Sequence, residues 1–465
     1  MTTDPALLSA TELLSLYRAK KLSPVEATKA ALARIARHDG RFNAFCLVDE
    51  DAALKSAKAS EARWQKGEPI GRVDGVTATV KDLLLTKGWP TLRGSRAIRR
   101  DQAWDEDAPC VARLREQGAV LLGKTTTPEF GWKGVTDSPR TGITRNPWNT
   151  ERTPGGSSGG AAVAAACGFG ALHLGTDGGG SIRIPASFTG IFGLKQTYGR
   201  VPAHPLSPFG TVAHVGPMTR TVADGALMLN VLALPDERDW YALPYDGTDY
   251  TKDLEAGVKG LKIAWSPTLS GNRVDPEVAA LTAEAARLFA DELGATLEET
   301  DLKFENVGEV FVKHWFPGAA NALSAYSPEQ KKAMDPGLVE IAEAGARIGL
   351  MDYLAAVKAR EGFGVMMNRF HKRYDLLLTP MMPLPAFQAG VEVPPEDEGG
   401  RWTDWSPFSY PFNLTQQPAA SVPCGFTKAG LPVGLQIVGA RYAETAVLKA
   451  ARAYEKARPF VMPSL

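Results

Sequence analysis

Apolar positions near the start of the chain recur at helical spacing and are punctuated by helix-start signals. Ser9-Ala10-Thr11-Glu12 has the arrangement of a capping box, and Ser23-Pro24-Val25-Glu26 repeats it with proline at the first helical position. A third run begins at Asp51 and ends at Gly67, so residues 1–70 predict a helical segment packing on a core. The period then changes. Val76-Thr77-Ala78-Thr79-Val80 alternates β-branched residues with alanine and predicts a strand, with Lys81-Asp82 at its end. Val111 to Gln117 predicts a helix closed by Gly118, followed by a strand from Ala119 to Leu122. Further on, Thr300 to Arg373 reads as mainly helical and Tyr374 to Thr379 as a buried strand ended by Pro380. The acidic stretch Val391 to Gly400, with two prolines and two glycines, reads as an exposed loop. Strands alternating with helices predict an α/β sheet covered by helices on both faces.

Composition narrows the class of protein. The chain has 465 residues, with 52 basic and 52 acidic side chains and a formal net charge of zero. That balance lacks the electrostatic footprint of a nucleic-acid or membrane-surface binder, and the ordinary apolar content excludes disorder. The start, Met1 to Ala10, shows neither the basic nor the apolar region of a targeting segment. The most apolar stretch, Ala161 to Gly175, is too short to span a bilayer. Cys46, Cys110, Cys167 and Cys424 lie far apart, and the six histidines show no metal-ligand spacing. No metal or cofactor is expected, and the cysteine usage fits a cytoplasmic location.

Residues 155–199 differ from the rest in kind. They carry 13 glycines in 45 positions and only three charges, Asp177, Arg183 and Lys195. Glycine at that density marks backbone pressed against a ligand or another backbone, and the alanine, isoleucine, leucine and phenylalanine between them argue against a linker. Just upstream, Gly118-Ala-Val-Leu-Leu-Gly123-Lys124-Thr125 satisfies a phosphate-loop pattern. Its four intervening residues are strand-like and Gly118 sits where a helix ends, so the pattern stands in the wrong context.

The chemistry lies in the glycine-rich stretch. Ser181 follows three glycines, so its hydroxyl is unobstructed and consecutive N–H groups around it can face a developing oxyanion. A serine hydroxyl needs a base, and no histidine offers itself as partner. A lysine kept neutral by burial can serve instead, and Lys81, at the end of an apolar strand and before Leu83-Leu84-Leu85, suits that role.

With Lys81-Asp82, Gly123-Lys124-Thr125, Asn146-Pro147-Trp148, Gly155-Gly156-Ser157-Ser158-Gly159-Gly160, Gly193-Leu194-Lys195, Ser421-Val-Pro-Cys-Gly425 and Gly430-Leu-Pro-Val-Gly-Leu-Gln436, nearly the whole chain resembles the amidase signature family. The resemblance implies one large α/β domain over residues 71–465, built on a mixed twisted sheet, with 300–373 a helical insertion on the substrate side. It implies Ser181 as nucleophile, Ser157 as a bridging serine behind a cis peptide bond, and Lys81 as base. Gly178, Gly179, Gly180 and Ser181 would supply the oxyanion hole, with Ser158, Asp177 and Arg183 bracing the loop. Phe130, Gly131 and Trp132 would fall in the acyl pocket. His173 and Gln196 stand where relatives carry other residues, and His173 reads as a hydrogen-bonded buried histidine.

The activity so implied is hydrolysis of an amide, or a carbamate, of a neutral apolar or aromatic small molecule through an acyl-serine, by a monomer or homodimer needing only substrate and water. Aromatic residues at Trp402, Trp405, Phe408, Tyr410 and Phe412 are expected to add to the pocket, with Trp315, Phe316 and Tyr326 in an access lid. Two other readings compete: the glutamine-hydrolysing component of a tRNA-dependent amidotransferase, and a phosphate-loop nucleotide-binding protein. Asp404 to Asn413 does not look like the corresponding part of those glutamine-hydrolysing components, which favours a stand-alone hydrolase.

Overall fold

The computed structural model describes residues 4–300, 302–397 and 399–465. The first three residues of the polar start, and positions 301 and 398 within two of the stretches read above, lie outside them.

Both capping boxes form. Ser9 opens a helix at Ala10–Arg18 and Ser23 opens one at Pro24–Phe42, each with its glutamate bonded back to the cap. The third helix, Glu50–Lys66, ends on Gly67 in the left-handed conformation. A short strand, β1 (Phe45–Val48), interrupts this helical region, and no pattern in the sequence signals it.

The remaining strands follow in chain order as β2 (Thr77–Lys81), β3 (Val120–Thr125), β4 (Asp137–Ser138), β5 (Gly142–Ile143), β6 (Leu172–Asp177) and β7 (Phe192–Lys195). After them come β8 (His214–Thr219), β9 (Lys262–Trp265), β10 (Thr296–Glu299), β11 (Leu376–Pro380), β12 (Ala419–Phe426) and β13 (Pro432–Gly439). Among the described residues, eleven of these form one mixed sheet in the order β1-β3-β2-β6-β8-β7-β12-β13-β11-β9-β10, and β4 pairs with β5 alone. The α/β reading holds. Helices cover both faces: Val447 packs behind Gly439, while Ser187 packs against Gly434 on the opposite side of the same strand.

The alanine-rich helix Gly159–Ala166 is buried throughout, which accounts for its lack of charge. A side chain at Gly160 would stand 2.5 Å from the Thr126 backbone nitrogen, so glycine there is what lets the helix seat on the strand end. The predicted helical stretch contains Val307–Leu323, Pro336–Ala346 and Leu350–Phe370. The acidic stretch after Val391 is less free than expected, because the Glu392 carboxylate and carbonyl accept bonds from Trp402 N–H and the Trp405 indole. No helix among the described residues is long and apolar enough to cross a membrane.

Three parallel neighbours position the site. β2 pairs with β3 on one side and with β6 on the other, so the carboxyl ends of β2 and β6 lie together. Ligands in α/β sheets characteristically bind beyond such ends.

Candidate active site

Lys81 ends β2 and is wholly buried. Its Nζ lies 2.7 Å from Ser157 Oγ, 2.8 Å from Ser158 Oγ and 2.8 Å from Thr176 Oγ1. Ser158 is committed elsewhere: its hydroxyl meets the Thr176 carbonyl and accepts the Thr176 N–H, both at 3.1 Å. A neutral amine has two N–H groups and one lone pair. Donating to Ser158 and Thr176 leaves the lone pair for the Ser157 hydroxyl. Burial drives the Lys81 amine well below the ordinary lysine value of 10.5, against a smaller opposing pull from Asp177. No carboxylate reaches Nζ among the described residues. The neutral amine is therefore the form this surrounding favours.

Ser157 follows a cis Gly156–Ser157 peptide bond. Ser158 N–H donates to the Ser181 carbonyl at 3.1 Å, tying the two serine segments together. Ser181 is 4% exposed, and its hydroxyl makes no hydrogen bond among the described residues, so it is free to turn. In the preceding loop the N–H groups of Gly178, Gly179 and Ser181 likewise have no partner among the described residues. Gly180 does not join them. Its N–H donates to Asp177 Oδ1 at 2.8 Å, so the expectation that it faces an oxyanion is corrected.

Asp177 and Arg183 brace this loop. They form a buried pair at 3.0 Å, and the guanidinium also donates to the Ser409 carbonyl, Gln436 Oε1 and Asn413 Oδ1. Burial alone would raise the Asp177 carboxyl, but the Arg183 charge and its hydrogen bonds prevail and hold it well below the usual carboxylate range. With every oxygen and N–H matched, the pair is a strut.

A cavity of about 460 Å³ opens beside Ser157 and Thr176, within the range of small-molecule sites. Phe130 and Gly131 line it, but Trp132 does not: it is fully buried against Gly337. Trp315 and Tyr326 line it from the mainly helical stretch after residue 300, while Phe316 does not. The C-terminal aromatics are also corrected. Trp402, Trp405, Phe408, Tyr410 and Phe412 are buried away from the lining, and the Trp402 ring presses on Gly179, where a side chain would come within 2.5 Å of it. Trp402 backs the loop, while Trp405 packs on Phe188, Tyr410 on Phe311 and Phe412 on Phe304.

The family model described as Amidase matches residues 26–448. The chain belongs to the amidase signature family. Among its relatives, the A component of the glutamyl-tRNA(Gln) amidotransferase of Myxococcus xanthus is 41% identical over 498 residues, covering 98% of each chain. An acylamidase of Rhodococcus erythropolis is 37% identical, covering 97% of this chain and 96% of its own. Of the solved structures, a bacterial aryl acylamidase of the amidase signature family superposes with a TM-score of 0.90 at 34% identity, over 97% and 96% of the two chains. The amidase signature fold and a hydrolytic activity on carbon–nitrogen bonds are thereby given.

Within this amidase signature protein, sequence reasoning misses Thr176, the third hydroxyl on Lys81, because its role comes from the β2–β6 register rather than any motif. The phosphate-loop pattern is overturned. Lys124 lies inside β3, buried, 3.1 Å from Asp82 and bonded to Thr91 Oγ1 and the Leu84 and Pro90 carbonyls. His173 is buried on β6, with Nδ1 2.9 Å from Thr79 and Nε2 near the Gly170 carbonyl. Burial and the Arg220 charge push it down to about 3, so it is neutral. Among the described residues no three histidine, cysteine, aspartate or glutamate side chains gather as a metal site would require.

Proposed function

We propose that this protein hydrolyses amides, anilides and aryl carbamates with apolar or aromatic groups beside the scissile bond, through an acyl-Ser181 intermediate. Neutral Lys81 takes the Ser157 proton as Ser157 takes that of Ser181, which attacks the carbonyl. The N–H groups of Gly178, Gly179 and Ser181 receive the oxyanion. The leaving amine is protonated back through Ser157, and water repeats the relay on the ester. The observation that carries this reading is Lys81 itself, a buried amine held by three hydroxyls and no carboxylate. The mostly apolar cavity, with Leu83, Leu84, Phe130, Phe209 and Trp315 on its wall, supports apolar substrate groups. Substrate and water are the partners it needs, and a cytoplasmic location suits its free cysteines.

A second reading, glutamine hydrolysis as part of a tRNA-dependent amidotransferase, is favoured by the similarity to the A components of such enzymes. Two measurements on the purified chain separate them. A serine-directed phosphonate should label the wild type and not Ser181→Ala; label retained in the variant overturns the nucleophile. The kcat/KM for a 4-nitroanilide or an aryl urethane should exceed that for glutamine and asparagine by at least about tenfold. The reverse order returns the amidotransferase reading.

A further inference from the structure

The cavity wall holds a guanidinium that the hydrolytic relay does not use. Arg93 lines the cavity with Phe130, Gly131 and Tyr326. Its backbone is fixed on both sides: its N–H donates to the Asp82 carbonyl at 3.1 Å, and its carbonyl accepts the Phe130 N–H at 2.8 Å. The Asp82 carboxylate, already paired with Lys124, also accepts the Leu92 and Gly94 N–H groups on either side. Arg93 itself takes a positive φ of 53°, uncommon for a side chain of this size. The turn fixes where the side chain leaves the backbone, beside the cavity it lines.

Among the described residues the Arg93 guanidinium makes neither a hydrogen bond nor an ion pair. Two other side chains of the wall, Asp239 and His204, are engaged. Asp239 accepts the Ala203 and Tyr241 N–H groups, and His204 lies 3.6 Å from Glu106. A neighbouring depression that shares Arg93 and Tyr326 contains Asp105 and Glu106. Glu106 is held by Arg238 at 3.0 Å, and neither carboxylate comes within ion-pair distance of Arg93. Arginine stays charged at any working pH and presents a planar fork suited to a carboxylate. A substrate that expels water from this wall and offers Arg93 no acceptor leaves a cation desolvated and unpaired, which is unfavourable. One that brings a carboxylate gains two charge-assisted hydrogen bonds.

We infer that Arg93 forms an anion subsite in the cavity, and that the preferred substrates carry a carboxylate at the far end of the acyl arm lying along Phe130 and Gly131. This rests on the hydrolytic reading above and refines its substrate: apolar beside the scissile bond, anionic at one end. Such a substrate is the monoamide or monoanilide of a dicarboxylic acid.

The test compares the mono-4-nitroanilides of succinic, glutaric and adipic acids with the neutral butyric 4-nitroanilide, in the wild type and in Arg93→Gln. At least one dicarboxylic anilide should exceed the neutral one in kcat/KM by tenfold or more. That ratio should fall at least tenfold in Arg93→Gln and be partly restored in Arg93→Lys. A wild-type ratio near one, or a high ratio unchanged in Arg93→Gln, overturns the subsite. A second readout is independent of turnover: millimolar glutarate should raise the wild-type melting temperature and leave that of Arg93→Gln unchanged. Loss of all turnover with the glutarate shift intact would sink the hydrolytic reading and leave the subsite standing. Turnover of the neutral anilide with no glutarate shift would do the opposite.

Discussion

Two lysines sit on adjacent parallel strands, both fully buried, and their surroundings are opposite. Lys124 on β3 faces Asp82 at 3.1 Å, with the Leu84 and Pro90 carbonyls beside it. Lys81 on β2 faces only hydroxyls. Burial lowers both amines, and for Lys124 the Asp82 carboxylate opposes that fall, as burial in turn raises Asp82. Residue type and burial therefore do not separate a structural lysine from a reactive one; the charge of the partners does. A carboxylate holds the proton on Lys124. Hydroxyls can give and take one, so they leave Lys81 ready to accept.

The widest test of this contrast exchanges each lysine for methionine. Lys81→Met should leave a folded protein whose kcat for a neutral anilide falls on the order of 10³–10⁵-fold, since relay residues act as one unit. Lys124→Met should cost about 3–5 kcal/mol in denaturant unfolding, because it strands a buried carboxylate, while the surviving folded fraction still turns over. Lys124→Met combined with Asp82→Asn should recover part of that stability. If Lys124→Met abolished turnover in fully folded protein, or Lys81→Met left it intact, the contrast would fail.

The pH profile gives the next largest effect. A base must be unprotonated, so the rate should rise with pH through the Lys81 ionisation and flatten above it. Because burial lowers that ionisation, the midpoint should lie below the ordinary 10.5. A rate that peaks in mild acid would contradict a lysine base. Smallest is the effect of Thr176→Val. Losing one acceptor of the ammonium form disfavours it further, so the limb should shift to lower pH, with kcat down about two- to tenfold. A shift the other way would show that Thr176 does not accept from the amine.

Local chemistry makes much of this legible in advance. Serine at a cap with glutamate three residues on marks two helix starts, and glycine density marks the loop around Ser181, because both signals act over a few residues. What stays hidden depends on which distant backbones meet. Nothing near Trp402 says that it backs Gly179 instead of lining the cavity, and nothing near Trp132 says that Gly337 covers it. The donation from Gly180 to Asp177 follows from the turn the loop takes, where Gly180 has a φ of 127°. Arg93 escapes a reading of the sequence because an arginine on a loop usually finds solvent or a partner, and only its cavity gives its isolation meaning.

The Arg183 strut has a consequence for how the protein comes into being. Its guanidinium gathers Ser409, Asn413 and Gln436, residues more than two hundred positions downstream of the loop it braces. During synthesis the serine loop emerges long before those partners do. Until Gln436 on β13 has left the ribosome, Arg183 and Asp177 have no complete cage. The nascent chain thus carries Ser181 in an unbraced loop until β13, the last strand, is translated. A truncated product ending before residue 436 would accumulate as an inert chain rather than as a loosely specific hydrolase.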